Sequence, residues 1–88
     1  MFCVYLLESE KSGELYSGFT TSLKRRLREH NHGENRATKP YLPWKCIYCE
    51  YCTNEQDARR REKYLKTSQG RQMIRRRLRE HFKNRRVS

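Results

Sequence analysis

A chain of 88 residues holds one compact domain and is too short for two hydrophobic cores. Its 21 Lys and Arg against 10 Asp and Glu leave a net +11, which points to a polyanionic partner, because basic side chains that neutralise lined-up phosphates release their counterions. No run approaches the ~18 apolar residues of a membrane span, the opening "MFCVYLLESEK" has neither the basic start nor the cleavage site of a secretory signal, and the hydrophobic residues fall in periodic runs that favour an ordered core over disorder.

The basic excess is uneven: residues 54–88 carry 13 basic and 4 acidic residues, whereas residues 1–53 carry 8 and 6. Four cysteines without a secretion signal fit a reducing, intracellular setting, cytoplasmic or nucleoid-associated, in which thiols stay free.

In chain order, "FCVYLL" predicts a strand of β-branched and aromatic residues, with "ELYSGF" as its hairpin partner across Ser12-Gly13. If Glu10 to Gly13 form a four-residue loop, Tyr5 lies opposite Gly18 and Tyr16 opposite Leu7, so both hydroxyls leave one face of the sheet. A loop of odd length would separate them. Gly18 beside Tyr5 leaves bare backbone that a ligand can approach closely.

Ser22 is placed to cap a helix over "LKRRLREHN", in which Leu23 and Leu27 mark the buried stripe. Arg26 falls about 60° to one side of Leu23, with His30 one turn on, so both sit at the core boundary. Two readings stay open: a snorkelling arginine stem with a helix-end histidine, or a functional pair. The polar segment "HGENRATKPYLP", from His32 to Pro43, reads as one exposed loop carrying Arg36 and Lys39.

"WKCIYCEYC" predicts a third strand. Period-2 alternation sends Cys46 and Cys52 to one face and Cys49 to the other, which argues against a zinc site and for cysteines free of metal. Asn54 then caps a second helix, "EQDARRREKYLK", whose inward stripe is Ala58, Glu62 and Leu65. A carboxylate on that face must find a cation, a donor or a metal, and Arg61 or Arg26 would serve as an ion-pair partner. After a break at "TSQG", a third helix is expected through "RQMIRRRLREHF", with Ile74, Leu78 and Phe82 inward and Arg75, Arg76 and Arg79 outward. Residues 1–82 form the expected domain, and 83–88 a basic, frayed tail.

The pieces "VYL" with Tyr5, "YSG" at Tyr16 to Gly18, "LKRRLREHN", "PWK" at Pro43 to Lys45 and "ARRREKYLK" at Ala58 to Lys66 resemble, in order and spacing, the GIY-YIG nuclease family, in its small stand-alone members. The resemblance spans roughly residues 2–80. It implies an α+β fold, a small three-stranded antiparallel sheet flanked by about three helices, and phosphodiester hydrolysis with one Mg²⁺ or Mn²⁺ ion. The family's site falls here on Tyr5, Tyr16, Arg26, His30 and the metal ligand Glu62. Cys3 and Val4 replace the Gly and Ile of the first motif, and Ser17 stands where the second normally has Ile or Val. On the register above Ser17 faces away from the tyrosines, so its cost should fall on packing rather than chemistry.

These residues imply an order of work. Glu62 holds the ion, Arg26 binds the scissile phosphate, and Tyr5 or His30 takes the proton from water while Tyr16 orients it or the phosphate. Arg36, Lys39, Arg75, Arg76 and Arg79 are the expected phosphate contacts. The partner is nucleic acid, DNA ahead of RNA, and no membrane. Without a reader domain, specificity would come from substrate shape, a homodimer or a partner protein. The competing reading is a non-catalytic nucleic-acid-binding module that keeps the nuclease scaffold.

Overall fold

Seven of the eight residues of strand β1 (Phe2–Ser9) are buried, as expected of a central strand covered on both faces. The computed structural model describes residues 1–87, with side chains through Asn84. Strand β2 (Leu15–Thr20) pairs with β1 on one side and strand β3 (Trp44–Cys52) on the other, both antiparallel, giving the order β2-β1-β3. Helix α1 (Leu23–Asn31) follows β2, and a short 3₁₀ turn (Lys39–Tyr41) precedes β3. Three helices complete the chain: α2 (Glu55–Leu65), α3 (Ser68–Arg77) and α4 (Arg79–Val87).

Alternation along β1 divides the core in two. Val4 and Leu6 face one side and pack with Ala58 and Leu65 of α2, Ile74 of α3 and Phe82 of α4. Cys3, Tyr5 and Leu7 face the other and pack with Trp44, Leu23 and Leu27. The sheet is thus sandwiched between α1 on one face and the three later helices on the other. Glu8, also buried, meets His81 Nε2 of α4 at 3.0 Å and Lys45 Nζ of β3 at 3.8 Å, tying α4 to the sheet.

The hairpin closes on the expected register: Tyr5 pairs with Gly18 and Leu7 with Tyr16. Ser9 N–H donates to Glu14 O at 2.9 Å and Gly13 N–H to Ser9 O at 2.9 Å, and Gly13 takes the positive φ of 79° that a turn of this kind demands. Ser22 caps α1 by accepting from Arg25 N–H, and Asn54 caps α2 by accepting from Gln56 and Asp57 N–H.

Four expectations are corrected. The basic C-terminal segment is two helices rather than one: the helix starts early, at Ser68, because Thr67 Oγ1 caps Gly70 N–H, and it breaks at Leu78, whose ψ of 34° leaves the helical region. Gly70 is not a breaker; a Cβ there would collide with Tyr64 O, so its bareness lets α3 pack on the end of α2. The cysteine alternation fails because β3 bulges: Leu6 pairs with Tyr48 but Leu7 with Cys46. Cys46 and Cys49 therefore share the Tyr5 face, and Cys52 takes the other. The 32–43 loop is not uniformly exposed either, since Thr38 at its centre is fully buried. α4 carries the chain into the segment read as a tail; Ser88 lies outside the described residues.

Candidate active site

β2 is an edge strand, and at its open side the two layers of helices come within reach of each other. A depression of about 390 Å³ lies there, lined by Tyr5 of β1, Tyr16 and Gly18 of β2, Arg26 of α1 and Glu62 of α2. Four elements from both faces of the sheet thus supply one concavity. Tyr5 and Tyr16 reach it because the hairpin register puts both on the α1 face. Arg26 reaches it from the flank of the Leu23 and Leu27 stripe. Glu62 reaches it from one turn beyond Ala58 on the opposite layer.

Gly18 is required by contact. A Cβ at this position would collide with the Tyr5 hydroxyl and ring, so the phenol lies directly across bare backbone. Tyr5 is 2% exposed, and burial, followed by the neighbouring Tyr16, pushes its ionisation well above the ordinary phenol range, with Arg26 opposing. Tyr5 is therefore a neutral phenol at rest.

His30 stands behind Tyr5 and outside the depression's lining. Its Nε2 lies 3.0 Å from the Tyr5 hydroxyl and its Nδ1 2.8 Å from Thr38 Oγ1, with the ring fully buried. The Thr38 hydroxyl donates to Asn35 O at 3.4 Å, so it accepts from Nδ1–H. That choice makes Nε2 the acceptor for Tyr5 O–H. Burial, and then the adjacent Arg26 charge, lower the pKa of His30 below the ordinary imidazole value. Thr38 is itself fixed by Trp44, whose indole N–H donates to Thr38 O at 2.8 Å. Asn31 clamps the other end, exchanging bonds with Trp44 N and O at 2.7 and 3.0 Å.

Arg26 Nη1 meets Glu29 Oε1 at 3.2 Å, while Nε is shut off from solvent and has no partner among the described residues. The Glu62 carboxylate pairs with Lys66 Nζ at 3.0 Å, not with Arg61 or Arg26. Arg61 is committed elsewhere, in a two-pronged pair with Glu50 at 2.8 and 3.0 Å. Lys66 Nζ also lies 5.8 Å from the Tyr16 ring centroid, outside the lining of the depression.

Among the described residues no group of three or more His, Cys, Asp or Glu side chains converges as a metal cage. One carboxylate beside phenol oxygens, on an open polar depression, fits a hard cation that retains most of its water and takes further oxygens from a substrate phosphate. Mg²⁺ and Mn²⁺ are of that kind.

Tyr5, Tyr16, Arg26 and Glu62 are brought together and His30 supports them from behind. Arg36, Lys39, Arg75, Arg76 and Arg79 are all exposed and outside the lining of this depression. Sequence reasoning missed Thr38 and Asn35, which sit in a polar loop with no periodicity to mark them. The residues that close the concavity toward α2, Arg59 and Phe19, were also missed; Arg59 lies over the Phe19 ring at 4.3 Å.

The model of the GIY-YIG catalytic domain matches residues 1–75. The chain is 42% identical over 64 residues to a UPF0213 protein of Streptococcus agalactiae, covering 72% of each chain. It is 38% identical over 64 residues to a UPF0213 protein of Clostridium perfringens, covering 72% of this chain and 68% of that one. No solved structure matches. With the catalytic-domain model matched over residues 1–75 and relatives of this identity and coverage, this chain belongs to the GIY-YIG catalytic domain family, a family of nucleases.

Proposed function

We propose that the protein is a divalent-metal-dependent endonuclease that hydrolyses phosphodiester bonds in nucleic acid, DNA ahead of RNA, selecting substrates by shape rather than by base sequence. The observation that carries this reading is the convergence of Tyr5, Tyr16, Arg26 and Glu62 on one depression from four separate elements. A binding scaffold has no need to bring a lone carboxylate and two phenols together on a surface otherwise suited to phosphate.

One Mg²⁺ or Mn²⁺ ion held by the Glu62 carboxylate would supply Lewis-acid polarisation of the phosphoryl group and a more acidic water. The chain's own groups do the rest. Arg26 binds the scissile phosphate through its uncommitted N–H donors and offsets the charge that develops on the phosphoryl oxygens. Glu29 holds the guanidinium from the far side. Tyr5 takes the proton of the attacking water, and because the phenol is neutral it passes its own proton to His30 Nε2 in the same step. Thr38 keeps Nε2 free to accept it. Tyr16, flanked by His30 and Trp44 in edge-to-face contacts, orients the water or the phosphate.

Arg36, Lys39, Arg75, Arg76 and Arg79, all exposed, extend the phosphate contacts beyond the site. Contacts of this kind fix position and carry no base information, which is why selection is assigned to substrate shape. The test is incubation of the purified protein with labelled single-stranded, duplex and branched DNA and with RNA, each in Mg²⁺, Mn²⁺ and chelator. Cleavage of at least one substrate that vanishes in chelator is expected. Binding without cleavage on every substrate would make the chain a binding module instead.

A further inference from the structure

A second depression, about 440 Å³, lies at the tip of the β1–β2 hairpin, between Ser12, Gly13, Glu14 and Leu15 and two arginines of α3, Arg71 and Arg75. The arginines are one helical turn apart, so they stand side by side and repel. Arg71 is partly buried, and its Nη1 is closed off from solvent with no hydrogen-bond partner among the described residues. Burial, and next the charge of Arg75, make its protonated form harder to hold. Arg75 is steered by its stacking on Phe82, 5.3 Å from the ring centroid. Among the described residues neither arginine forms an ion pair within 4 Å; Glu14 lines the same depression, is exposed, and pairs with neither. Elsewhere on the surface Arg25, Arg59, Arg60 and Arg61 each have a carboxylate partner.

Two adjacent cations, one partly desolvated and incompletely bonded, are costly unless an anion is supplied from outside. The planar fork of arginine suits a phosphate in particular. The Ser12 hydroxyl accepts from Glu14 N–H at 3.2 Å and keeps its own proton to donate. Leu15 lines this depression and Gly18 the candidate active site. They stand three steps apart along the strand, roughly 10 Å, which is the rise of about three nucleotides in one strand of a duplex. Between them on β2 stands Tyr16, with Lys66 at the end of α2 beside its ring.

We infer that Arg71 and Arg75, with the hairpin tip, form a second phosphate site that grips the nucleic-acid strand about three nucleotides from the scissile phosphate. The nuclease reading contributes only the identity of the polymer; the anion site stands on its own geometry. It gives the chain two points on one strand, and so a defined strand direction across the active depression.

The experiment reads binding, not cleavage, and so can fail or succeed apart from the nuclease reading. Inorganic phosphate is titrated against the wild-type protein with the Arg71 Nε–H and Gly13 amide followed by NMR, using chloride at matched ionic strength as the blank. A saturable shift at both is expected; the Gly13 shift should be abolished in Arg71→Gln, and both should be retained in Arg60→Gln, which removes an exposed charge of α2. In chelator, the affinity of Arg71→Gln for a short duplex should fall severalfold, with a log–log salt slope shallower by about 0.9. The wild-type titration remains decisive even if the variant folds poorly. No saturable shift beyond the chloride blank overturns the site. Saturation by phosphate with an unchanged duplex salt slope overturns the nucleic-acid assignment and makes this a free-phosphate site.

Discussion

The Tyr5 hydroxyl lies 3.0 Å from His30 Nε2, and the same imidazole is held from behind by Thr38 at 2.8 Å. This chain of three side chains runs from the open depression to the buried interior. It changes the question of which group is the base. A phenol pushed upward by burial is a poor base alone, and an imidazole hidden behind it cannot touch water. In the reaction proposed above the two, linked, would share the proton transfer, with Tyr5 meeting the water and His30 storing the proton.

The linkage sets a pH dependence. Burial and Arg26 hold His30 below its usual range, so in acid the unfolded chain, with an ordinary pKa of about 6.5, binds a proton before the folded one does. The stability contributed by neutral His30 is therefore complete above about pH 6.5 and is lost as pH falls through the folded pKa. Cleavage should lose rate in the same direction, with an acid limb centred below 6.5. Denaturant melts and rate profiles between pH 4 and 8, for wild type and His30→Gln, check both. An acid limb at pH 7 or above, or an undiminished loss of stability in the variant, would count against the relay.

Ser17 is a buried hydroxyl on the α2 face, opposite Leu6, and its Oγ has no partner among the described residues. An unsatisfied buried hydroxyl costs roughly 1–3 kcal/mol. Ser17→Ala should stabilise the protein by about 1 kcal/mol, raising the midpoint by roughly 4–8 °C, with cleavage and binding unchanged. A lower midpoint would mean that the hydroxyl is bonded in solution.

Gly18→Ala should do the opposite. The added methyl meets the Tyr5 hydroxyl and ring, so the phenol must move and give up His30. Cleavage should drop by about 10² or more, as when one stabilising contact of a transition state is lost, while nucleic-acid affinity in chelator stays within a factor of about two. Unchanged cleavage would show that Tyr5 is dispensable where it lies.

Much of this arrangement is legible in the sequence because its signals are local. An even loop length fixes the hairpin register, and Ser22 and Asn54 announce α1 and α2 one residue ahead. The periodicity of those two helices is enough to mark Arg26 at the edge of the buried stripe of α1 and Glu62 within that of α2. What is not legible depends on contacts between distant segments. The β3 bulge that brings Cys46 and Cys49 to one face answers to pairing with β1, not to its own alternation. Thr38 is buried because Trp44 and His30 close over it from two other elements. Gly70 reads as a breaker, yet it is a point of close approach between α2 and α3.

Among all residues of the depression, Glu62 is the one whose role separates an enzyme from a binder. The decisive measurement pairs cleavage in Mg²⁺ or Mn²⁺ with binding in chelator, on one substrate, for wild type and Glu62→Gln. The substitution keeps the shape and removes the charge that Lys66 now matches at 3.0 Å. A rate reduced by at least about 10² with affinity equal or slightly tighter is the predicted result. Equal cleavage by wild type and Glu62→Gln would contradict the account, and would place the activity outside this site.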